Sequence, residues 1–249
     1  MRFFRIVAGI TLEVLAFVWL GAFLGAFAVG TAGFAFALAT GALWLHVLDP
    51  VHTTLLVAAC GTILHVGLIW QVRASIDVKH VSPFIVAGLL GVPIGTFVLM
   101  RSDPHGLKVA LGLFMVAYGL YALLMPRLPV IKAGGVAADA GIGFLAGILG
   151  GIGGYSGVLP SVWTQLRGWP KDVARAFYQP FILVIQVATL LLVGAVALDW
   201  FGLILIVAAV PPLLAGAWLG WKAFGRLDER RFRQVLAALV LASGIMLVI

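Results

Sequence analysis

The chain has 249 residues, of which 63% are hydrophobic and only 10% are charged. A water-soluble domain has about a quarter of its residues charged, so this composition excludes an ordinary soluble domain and indicates an integral membrane protein. A bilayer core about 30 Å thick takes roughly 20 residues per helical crossing. The length therefore allows about ten spans or half-spans and leaves no room within it for a second, soluble domain.

The net charge of +7 raises nucleic acid as a partner. Most lysines and arginines, however, lie in the short gaps between apolar runs, where the positive-inside rule places them, so we expect no nucleic-acid partner. The single cysteine, Cys60, excludes an intrachain disulfide and a Cys-rich metal site. Arg2 and Arg5 precede an apolar stretch as in a signal peptide, but Glu13 interrupts that stretch, and we expect no cleavage.

Apolar runs between proline, glycine and charge breaks predict ten helical segments. In chain order they cover about 6–29, 33–48, 52–71, 83–100, 106–125, 136–149, 154–167, 173–198, 200–221 and 232–249. The runs are continuous rather than alternating, which excludes an outer-membrane β-barrel. The predicted fold is an all-α integral membrane protein of about ten helical segments.

The two halves of the chain align with each other. The matched residues are Gly30, Gly33 and Pro50 with Gly150, Gly153 and Pro170 at an offset of 120, and Gly91, Gly95, Arg101, Asp103 and Gly119 with Gly216, Gly220, Arg226, Asp228 and Gly244 at an offset of 125. This pattern predicts two membrane repeats of five segments, 1–130 and 131–249, within one membrane domain. Because five is odd, the second repeat starts on the opposite membrane face, and the repeats are predicted to be inverted.

The distribution of positive charge predicts the topology. When loops are placed alternately on two sides, twelve cations fall on one side: Arg73, Lys79, Arg127, Lys132, Arg167, Lys171, Arg175, Lys222, Arg226, Arg230, Arg231 and Arg233. The other side has Arg2, Arg5, Arg101 and Lys108. The first side is predicted to be cytoplasmic and both termini periplasmic.

Two of the predicted segments are too short to cross the membrane. Segments 33–48 and 154–167 would be roughly 24 and 21 Å long as helices, less than the bilayer core of about 30 Å. Each follows a glycine-rich break. We therefore expect each to form, with the segment before it, a pair of half-helices or a re-entrant hairpin.

The most distinctive local pattern is GILGGIGGYSGVLP at 147–160. Glycine costs a helix about 1 kcal/mol relative to alanine, so Gly150, Gly151, Gly153 and Gly154 predict a break there. A helix that restarts at Tyr155 or Ser156 would aim free N–H groups and a positive dipole end into a cavity, which is an anion site. The first-half counterpart contains Gly30, Thr31 and Gly33.

Close helix packing is the alternative explanation of these glycines, since small residues let helices approach in membranes. The two GxxxG pairs, Gly91 with Gly95 and Gly216 with Gly220, are assigned to packing.

The Gly-rich break followed by proline, the stretch GWPKDVARAF at 168–177 and the two-fold repeat resemble the TauE/SafE family of bacterial sulfite and organosulfonate exporters. The resemblance covers essentially the whole chain and is stronger in the second half. It implies an inner-membrane anion transporter whose substrate is sulfite, sulfoacetate or a similar small anion.

Several polar residues could serve such a pathway. Glu13 and Asp139 are intramembrane carboxylates and candidate proton carriers. Arg175 could meet an anion that enters from the cytoplasm. Gln165, with Gln179, Gln186 and Tyr178, could line the path or form interhelical hydrogen bonds. His65 is expected to be a packed hydrogen-bonding residue.

Three classes of function were compared: transporter, membrane enzyme and structural subunit. An enzyme would show clustered His, Asp or Glu, a metal motif or an activated nucleophile, and the sequence has none of these, so we expect no catalytic residues, cofactor or metal. Duplicated helix breaks favour transport. We expect an exporter of a small sulfur-containing anion in the bacterial inner membrane, embedded in the lipid bilayer. An anion channel, a transporter of another small anion and a non-transport membrane subunit are the alternatives, and the oligomeric state is left open.

Overall fold

The computed structural model describes residues 5–7, 10–32, 35–124, 130–131, 134–223 and 229–249. The described part has ten α-helices: α1 (Leu12–Ala32), α2 (Phe36–Trp44), α3 (Pro50–Val72), α4 (Val78–Arg101), α5 (Pro104–Leu124), α6 (Gly135–Gly153), α7 (Val158–Leu166), α8 (Lys171–Ala197), α9 (Trp200–Ala223) and α10 (Glu229–Val248). These correspond one to one to the ten predicted segments. A single 3₁₀ turn, Arg73–Ser75, follows α3.

The first segment differs from its prediction. Two short antiparallel strands, β1 (Arg5–Val7) and β2 (Ile10–Thr11), precede α1, which begins at Leu12 rather than near residue 6. Ile6, Val7 and Ile10 are β-branched and favour extended backbone. The fold is therefore helical apart from this small ribbon.

Aspartate caps explain why two helices begin earlier than expected. The Asp49 carboxylate accepts hydrogen bonds from the backbone N–H groups of Val51 and His52, so α3 begins at Pro50. Asp77 caps α4 in the same way, and α4 begins at Val78 rather than at residue 83.

Pro83 therefore lies inside α4, where its missing N–H leaves the Lys79 carbonyl without its usual donor. The Ser82 hydroxyl donates to that carbonyl at 3.4 Å and replaces the lost bond. The expectation that Pro83 would mark the start of the helix was wrong for this reason.

The described helices have the length and surface of membrane spans. Seven of them, α1, α3, α4, α5, α6, α8 and α9, are long and apolar enough to cross a bilayer, and α10 has a shorter apolar stretch, Leu236–Val248. Large apolar side chains are exposed on several of them, such as Leu90 at 66%, Phe97 at 63% and Leu191 at 68%. Such surfaces are rare in soluble proteins and suit contact with lipid. The chain is a multi-pass membrane protein.

The helices pack in four main pairs: α3 with α8 at the centre, α4 with α6, α1 with α9, and α5 with α10. Exchanging each helix with the one five places along the chain turns this set of pairs into itself. In particular, the pair of α4 and α6 becomes the pair of α9 and α1.

Glycines allow two of these pairs to approach at backbone distance. A Cβ on Gly95 would stand 2.9 Å from the Ile148 carbonyl carbon of α6, and one on Gly216 would stand 3.0 Å from the Phe23 Cα of α1. The assignment of both GxxxG pairs to packing is confirmed.

The two short helices fold back along the helices that precede them. The Trp44 indole N–H at the end of α2 lies 3.2 Å from the Phe17 carbonyl and 3.3 Å from that of Val18, both in the first two turns of α1. The Trp163 indole N–H of α7 donates to Asp139, near the start of α6, at 2.7 Å. Each pair is a helical hairpin in which nine residues, roughly 13 Å of helix, return along the longer partner.

Candidate functional site

The candidate site is a cavity of about 230 Å³ between α1, α3, α8 and α9. Its lining residues are Ala26, Val29 and Gly30 of α1, Leu64, Gly67, Leu68 and Val72 of α3, Arg175 and Gln179 of α8, and Ala217 and Trp221 of α9. It lies toward the end of the bundle at which α3 and α9 end and α8 begins, which we call the cavity end. Both halves of the chain contribute to it.

Two polar side chains stand out in this apolar lining. Arg175 is partly buried in the first turns of α8, and Gln179 follows one turn later on the same face and is 2% exposed. The Arg175 side chain also interacts with the Tyr178 hydroxyl. A guanidinium is always charged and offers five N–H donors, so this part of the cavity can attract and hold an anion.

The first-half glycine motif lies only partly within the described residues. Gly30 ends the cavity-lining face of α1 and packs against Gly220, whose Cα lies 2.9 Å from the position of a Cβ on Gly30. Thr31 continues α1, but its side chain falls outside the described residues, and so does Gly33. The structure therefore brings Gly30 and Arg175, two of the predicted site residues, into one cavity.

The second-half glycines lie elsewhere, and the break is four residues later than expected. Gly150 and Gly151 are helical, because α6 continues to Gly153. A Cβ on Gly151 would stand 2.7 Å from the Thr96 backbone nitrogen of α4, and one on Gly150 would stand 3.1 Å from the Ser156 Cβ. Close packing thus offsets the low helix propensity of these glycines.

The linker between α6 and α7 begins with a left-handed residue. Gly154 has φ +77° and closes α6, and its N–H donates to the Gly150 carbonyl at 2.8 Å. The Tyr155 N–H donates to the Leu149 carbonyl at 3.2 Å, and helix resumes at Val158, not at Tyr155 or Ser156. These two N–H groups are therefore used by the helix end.

The side chains of this linker are buried. Tyr155 is 1% exposed, with its ring 5.4 Å from that of Phe114, and a Cβ on Gly153 would stand 2.7 Å from the Tyr155 Cδ2. Ser156 is 0% exposed.

The remaining predicted residues are distributed over the surface and the hairpins. Gln165 is exposed on α7 and donates to the Ser161 carbonyl at 3.0 Å. Glu13 is exposed in the first turn of α1. Asp139 is 5% exposed and accepts the Trp163 indole hydrogen bond. Their roles in binding or proton transfer stay predictions.

A second group of buried polar side chains, which we call the polar core, consists of His65 on α3, Gln186 on α8 and Ser156 in the linker. His65 Nδ1 lies 2.7 Å from the Gly61 carbonyl oxygen. The Gln186 amide packs against Gly61 at 2.7 to 3.0 Å from the position of a Cβ, and its Nε2 lies 3.5 Å from the Gly154 carbonyl. His65 and Gln186 thus both adjoin Gly61, and Gln186 also faces the linker, in which Ser156 follows Gly154 by two residues.

The opposite end of the bundle has an ionic cluster. His52 Nδ1 lies 2.6 Å from Asp49, and His52 Nε2 lies 3.5 Å from Asp199 in the loop between α8 and α9. Burial raises the pKa of Asp49, but hydrogen bonds from the His52 side chain and backbone outweigh it and bring the pKa to about 2. The Gly202 N–H, at 2.7 Å, lowers the pKa of Asp199. The cluster joins a first-half loop to a second-half loop.

Within the described ranges no group of three or more His, Cys, Asp or Glu side chains could hold a metal ion. The polar features of the described interior are the cavity with Arg175 at one end and the polar core beside α3 and α8.

Sequence reasoning missed most of the cavity. Leu64, Leu68 and Ala217 look like ordinary residues of membrane spans, and only the packing of four helices makes them a lining. Gln179 was noted as a residue that could line the path, four residues after Arg175, and that spacing on one helix face was the available signal.

Comparison with family models gives a match over residues 17–247, to the family described as "Sulfite exporter TauE/SafE". Comparisons with curated proteins and with solved structures give no match. Since the family model covers nearly the whole chain, including every helix that lines the cavity, this multi-pass membrane protein belongs to the sulfite exporter TauE/SafE family.

Proposed function

We propose that the chain exports a small sulfur-containing anion, sulfite or an organosulfonate, from the cytoplasm across the bacterial inner membrane. The observation that carries this proposal is the cavity between α1, α3, α8 and α9, in which the Arg175 guanidinium lies within an apolar lining. A cation that faces a largely apolar cavity is costly to bury, and a bound anion would compensate its charge.

The position of the cavity fits export. It lies at the end of the bundle that carries Arg73, Lys79, Arg167 and Lys222, the end that the charge distribution predicts to be cytoplasmic. Positive charge around an entrance raises the local concentration of anions. Anions would then be concentrated at the cytoplasmic entrance of the cavity and enter there.

The packing supports two inverted repeats, 1–130 and 131–249, in which α1–α2 and α6–α7 are re-entrant hairpins. The main helix pairs map onto one another when the halves are exchanged, and a tryptophan indole of each short helix, Trp44 or Trp163, bonds to the first turns of the preceding long helix. Such repeats rock about a site near the membrane midplane in many carriers. The ends of α1 and α6, which carry the matched residues Gly30 and Gly150, would then be the equivalent moving parts.

The membrane potential supplies enough driving force for this export. Moving one charge through 100 mV releases about 2.3 kcal/mol, which is roughly a fifty-fold concentration ratio at 25 °C. An inside-negative cell therefore drives an anion outward, and no ATP is required.

The test is flux of sulfite from proteoliposomes under an imposed potential, without ATP. We expect the wild type to move sulfite or a small organosulfonate down the potential, and Arg175→Gln to reduce the rate about 10- to 100-fold, the range for loss of a charge-assisted hydrogen bond of about 1.5–3 kcal/mol. Arg101→Gln is the matched control, because Arg101 is exposed at the end of α4, 5.6 Å from the Phe97 ring, and lies away from the cavity.

A flux that requires ATP, or one that ignores both potential and anion gradient, would refute the transport mechanism. Equal rates for Arg175→Gln and Arg101→Gln would refute the cavity as the anion's entrance.

A further inference from the structure

The polar core contains three buried polar atoms that lack hydrogen-bond partners among the described residues: His65 Nε2, Gln186 Oε1 and Ser156 Oγ. The exposed fractions of these residues are 1%, 2% and 0%. Buried polar atoms are nearly always paired, so three unpaired atoms on segments that adjoin at Gly61 and Gly154 require an explanation. A ligand or water that passes through the cluster is the explanation that fits a transport protein.

The geometry fixes what each of these atoms can do. The Gly61 carbonyl only accepts, so His65 Nδ1 carries the hydrogen, and Nε2 of the neutral ring is an acceptor. Gln186 Nε2 faces the Gly154 carbonyl, which leaves Oε1 as an acceptor. Only the Ser156 hydroxyl can donate as well as accept.

This inventory selects among anions. An anion without hydrogen-bond donors, such as an unsubstituted alkanesulfonate, could take one bond from Ser156 but would place its oxygens against the two acceptors. An anion that carries an O–H or N–H group fits better: its oxygen accepts from Ser156, and its single O–H hydrogen is shared between the two acceptors, or an ammonium group donates one hydrogen to each.

His65 and Gln186 of the polar core lie on the same two helices, α3 and α8, as part of the cavity lining. His65 is flanked on α3 by Leu64, which lines the cavity, and Gln186 follows the cavity residue Gln179 by seven residues on α8. Seven residues are about 10 Å of helix. None of the three residues lines the cavity, so the polar core is a separate position, farther along α8 from the cavity end.

Resting on the proposed function, we propose that the polar core is a second substrate position, selective for small oxyanions that carry their own hydrogen-bond donor. This class includes hydrogensulfite and hydroxy- or aminoalkanesulfonates. Arg175 attracts the negative charge, and His65 and Gln186 select for the donor group.

The experiment compares two sulfonates of equal length, 2-hydroxyethanesulfonate and ethanesulfonate, as labelled substrates in proteoliposomes. We expect the wild type to transport the hydroxylated compound about tenfold faster at low concentration, the factor that one hydrogen bond of about 1.4 kcal/mol provides. His65→Phe and Gln186→Leu should each reduce this preference to less than about threefold while transport of ethanesulfonate continues. Ser156→Ala should slow both compounds alike, because Ser156 contacts the oxygen that they share.

Controls use residues of the same type outside the core. His105→Phe and Gln234→Leu alter exposed residues of α5 and α10 and should keep the wild-type preference. Size-exclusion profiles in detergent identify any variant that does not fold, and in that case the comparison of the two sulfonates in the wild type still tests the selectivity. His65→Gln restores an acceptor and should recover part of the preference.

The outcomes separate this proposal from the proposed function. Equal transport of the two sulfonates by the wild type, or a preference that persists in both His65→Phe and Gln186→Leu, would overturn the selective role of the polar core while leaving anion export intact. Absence of flux for sulfite and for both sulfonates would overturn the proposed function itself.

Discussion

Asp139 is a candidate proton carrier and also connects α6 with α7. Its carboxylate is 5% exposed and accepts the Trp163 indole N–H at 2.7 Å. The bond ties the middle of α7 to the first turns of α6. In the other hairpin, Trp44 uses backbone carbonyls of α1 for the same purpose.

Replacing Asp139 should therefore affect stability according to whether an acceptor remains. Asp139→Leu leaves the buried Trp163 N–H without a partner and should cost about 1–3 kcal/mol. Asp139→Asn keeps an oxygen that accepts and should cost less than about 1 kcal/mol. Unfolding in detergent, followed by tryptophan fluorescence, measures both; equal losses would show that the bond does not hold the hairpin. An altered pH profile of transport in Asp139→Asn would support the proton-carrier role.

Residue types alone predicted part of the site. Arg175 and Gly30 were selected because a cation near a helix start and a glycine at a helix break are features of anion sites, and the structure brings them to one cavity. His65 was expected to be a packed hydrogen-bonding residue, and one ring nitrogen is one. The surroundings of the other nitrogen depend on which residues of α8 face α3, and the sequence of α3 does not give this information.

At the scale of elements, the interface of α4 and α6 shows what the glycines do. On α6, Gly143, Gly147 and Gly151 recur every four residues and so form one stripe, and all three face the backbone of α4. Helix packing in membranes depends on such close approach, because no hydrophobic driving force between helices is available. The glycine content that predicted a break instead supports a continuous helix up to Gly153.

Two alanine substitutions on α6 should therefore have opposite effects. A Cβ on Gly147 would stand 2.7 Å from the Gly88 carbonyl carbon of α4, so Gly147→Ala should destabilise by about 1–3 kcal/mol through overpacking. A Cβ on Gly141 meets no atom within 4 Å, so Gly141→Ala should be neutral or stabilise by up to about 1 kcal/mol through helix propensity. Thermal unfolding in detergent decides between them. If both variants lose stability equally, the stripe does not determine the packing.

Helix number and order followed from the sequence because apolar runs of about 20 residues have few structural alternatives in a bilayer. Helix ends were less predictable. Pro83 indicated a start, but the Asp77 cap and the Ser82 hydroxyl allow the helix to include it. The break after α6 moved to Gly154 because tertiary contacts stabilise Gly150 and Gly151 as helix. Gly151 packs against α4 and Gly150 against Ile185 of α8, and a local sequence pattern does not reveal these contacts.

At the scale of the whole molecule, the pairing of the helices determines where the polar core, the cavity and the ionic cluster lie. The central pair of α3 and α8 carries His65 and Gln186 of the polar core. The cavity lies beside this pair at the cavity end, which is the end predicted to be cytoplasmic from its positive charge. The opposite end is joined by the contacts of His52 with Asp49 and Asp199. The cavity and the ionic cluster thus lie at opposite ends of the bundle.

The topology that this arrangement requires can be tested directly. If each hairpin returns to the side on which it started, as proposed above, three crossings per repeat remain, and the twelve-to-four division of cations predicts Lys132 inside and Ile249 outside. A periplasm-dependent reporter such as alkaline phosphatase should be active when fused after Ile249 or after Ser102, and inactive after Lys132 or after Asp77. Expression of each fusion, checked by immunoblot, is the control. The reverse pattern would place the cavity and Arg175 on the periplasmic side, where an inside-negative potential opposes anion entry from that face, and would therefore contradict the direction of export. Equal activity of the fusions after Lys132 and after Ile249 would place both positions on one side and contradict the inverted repeats.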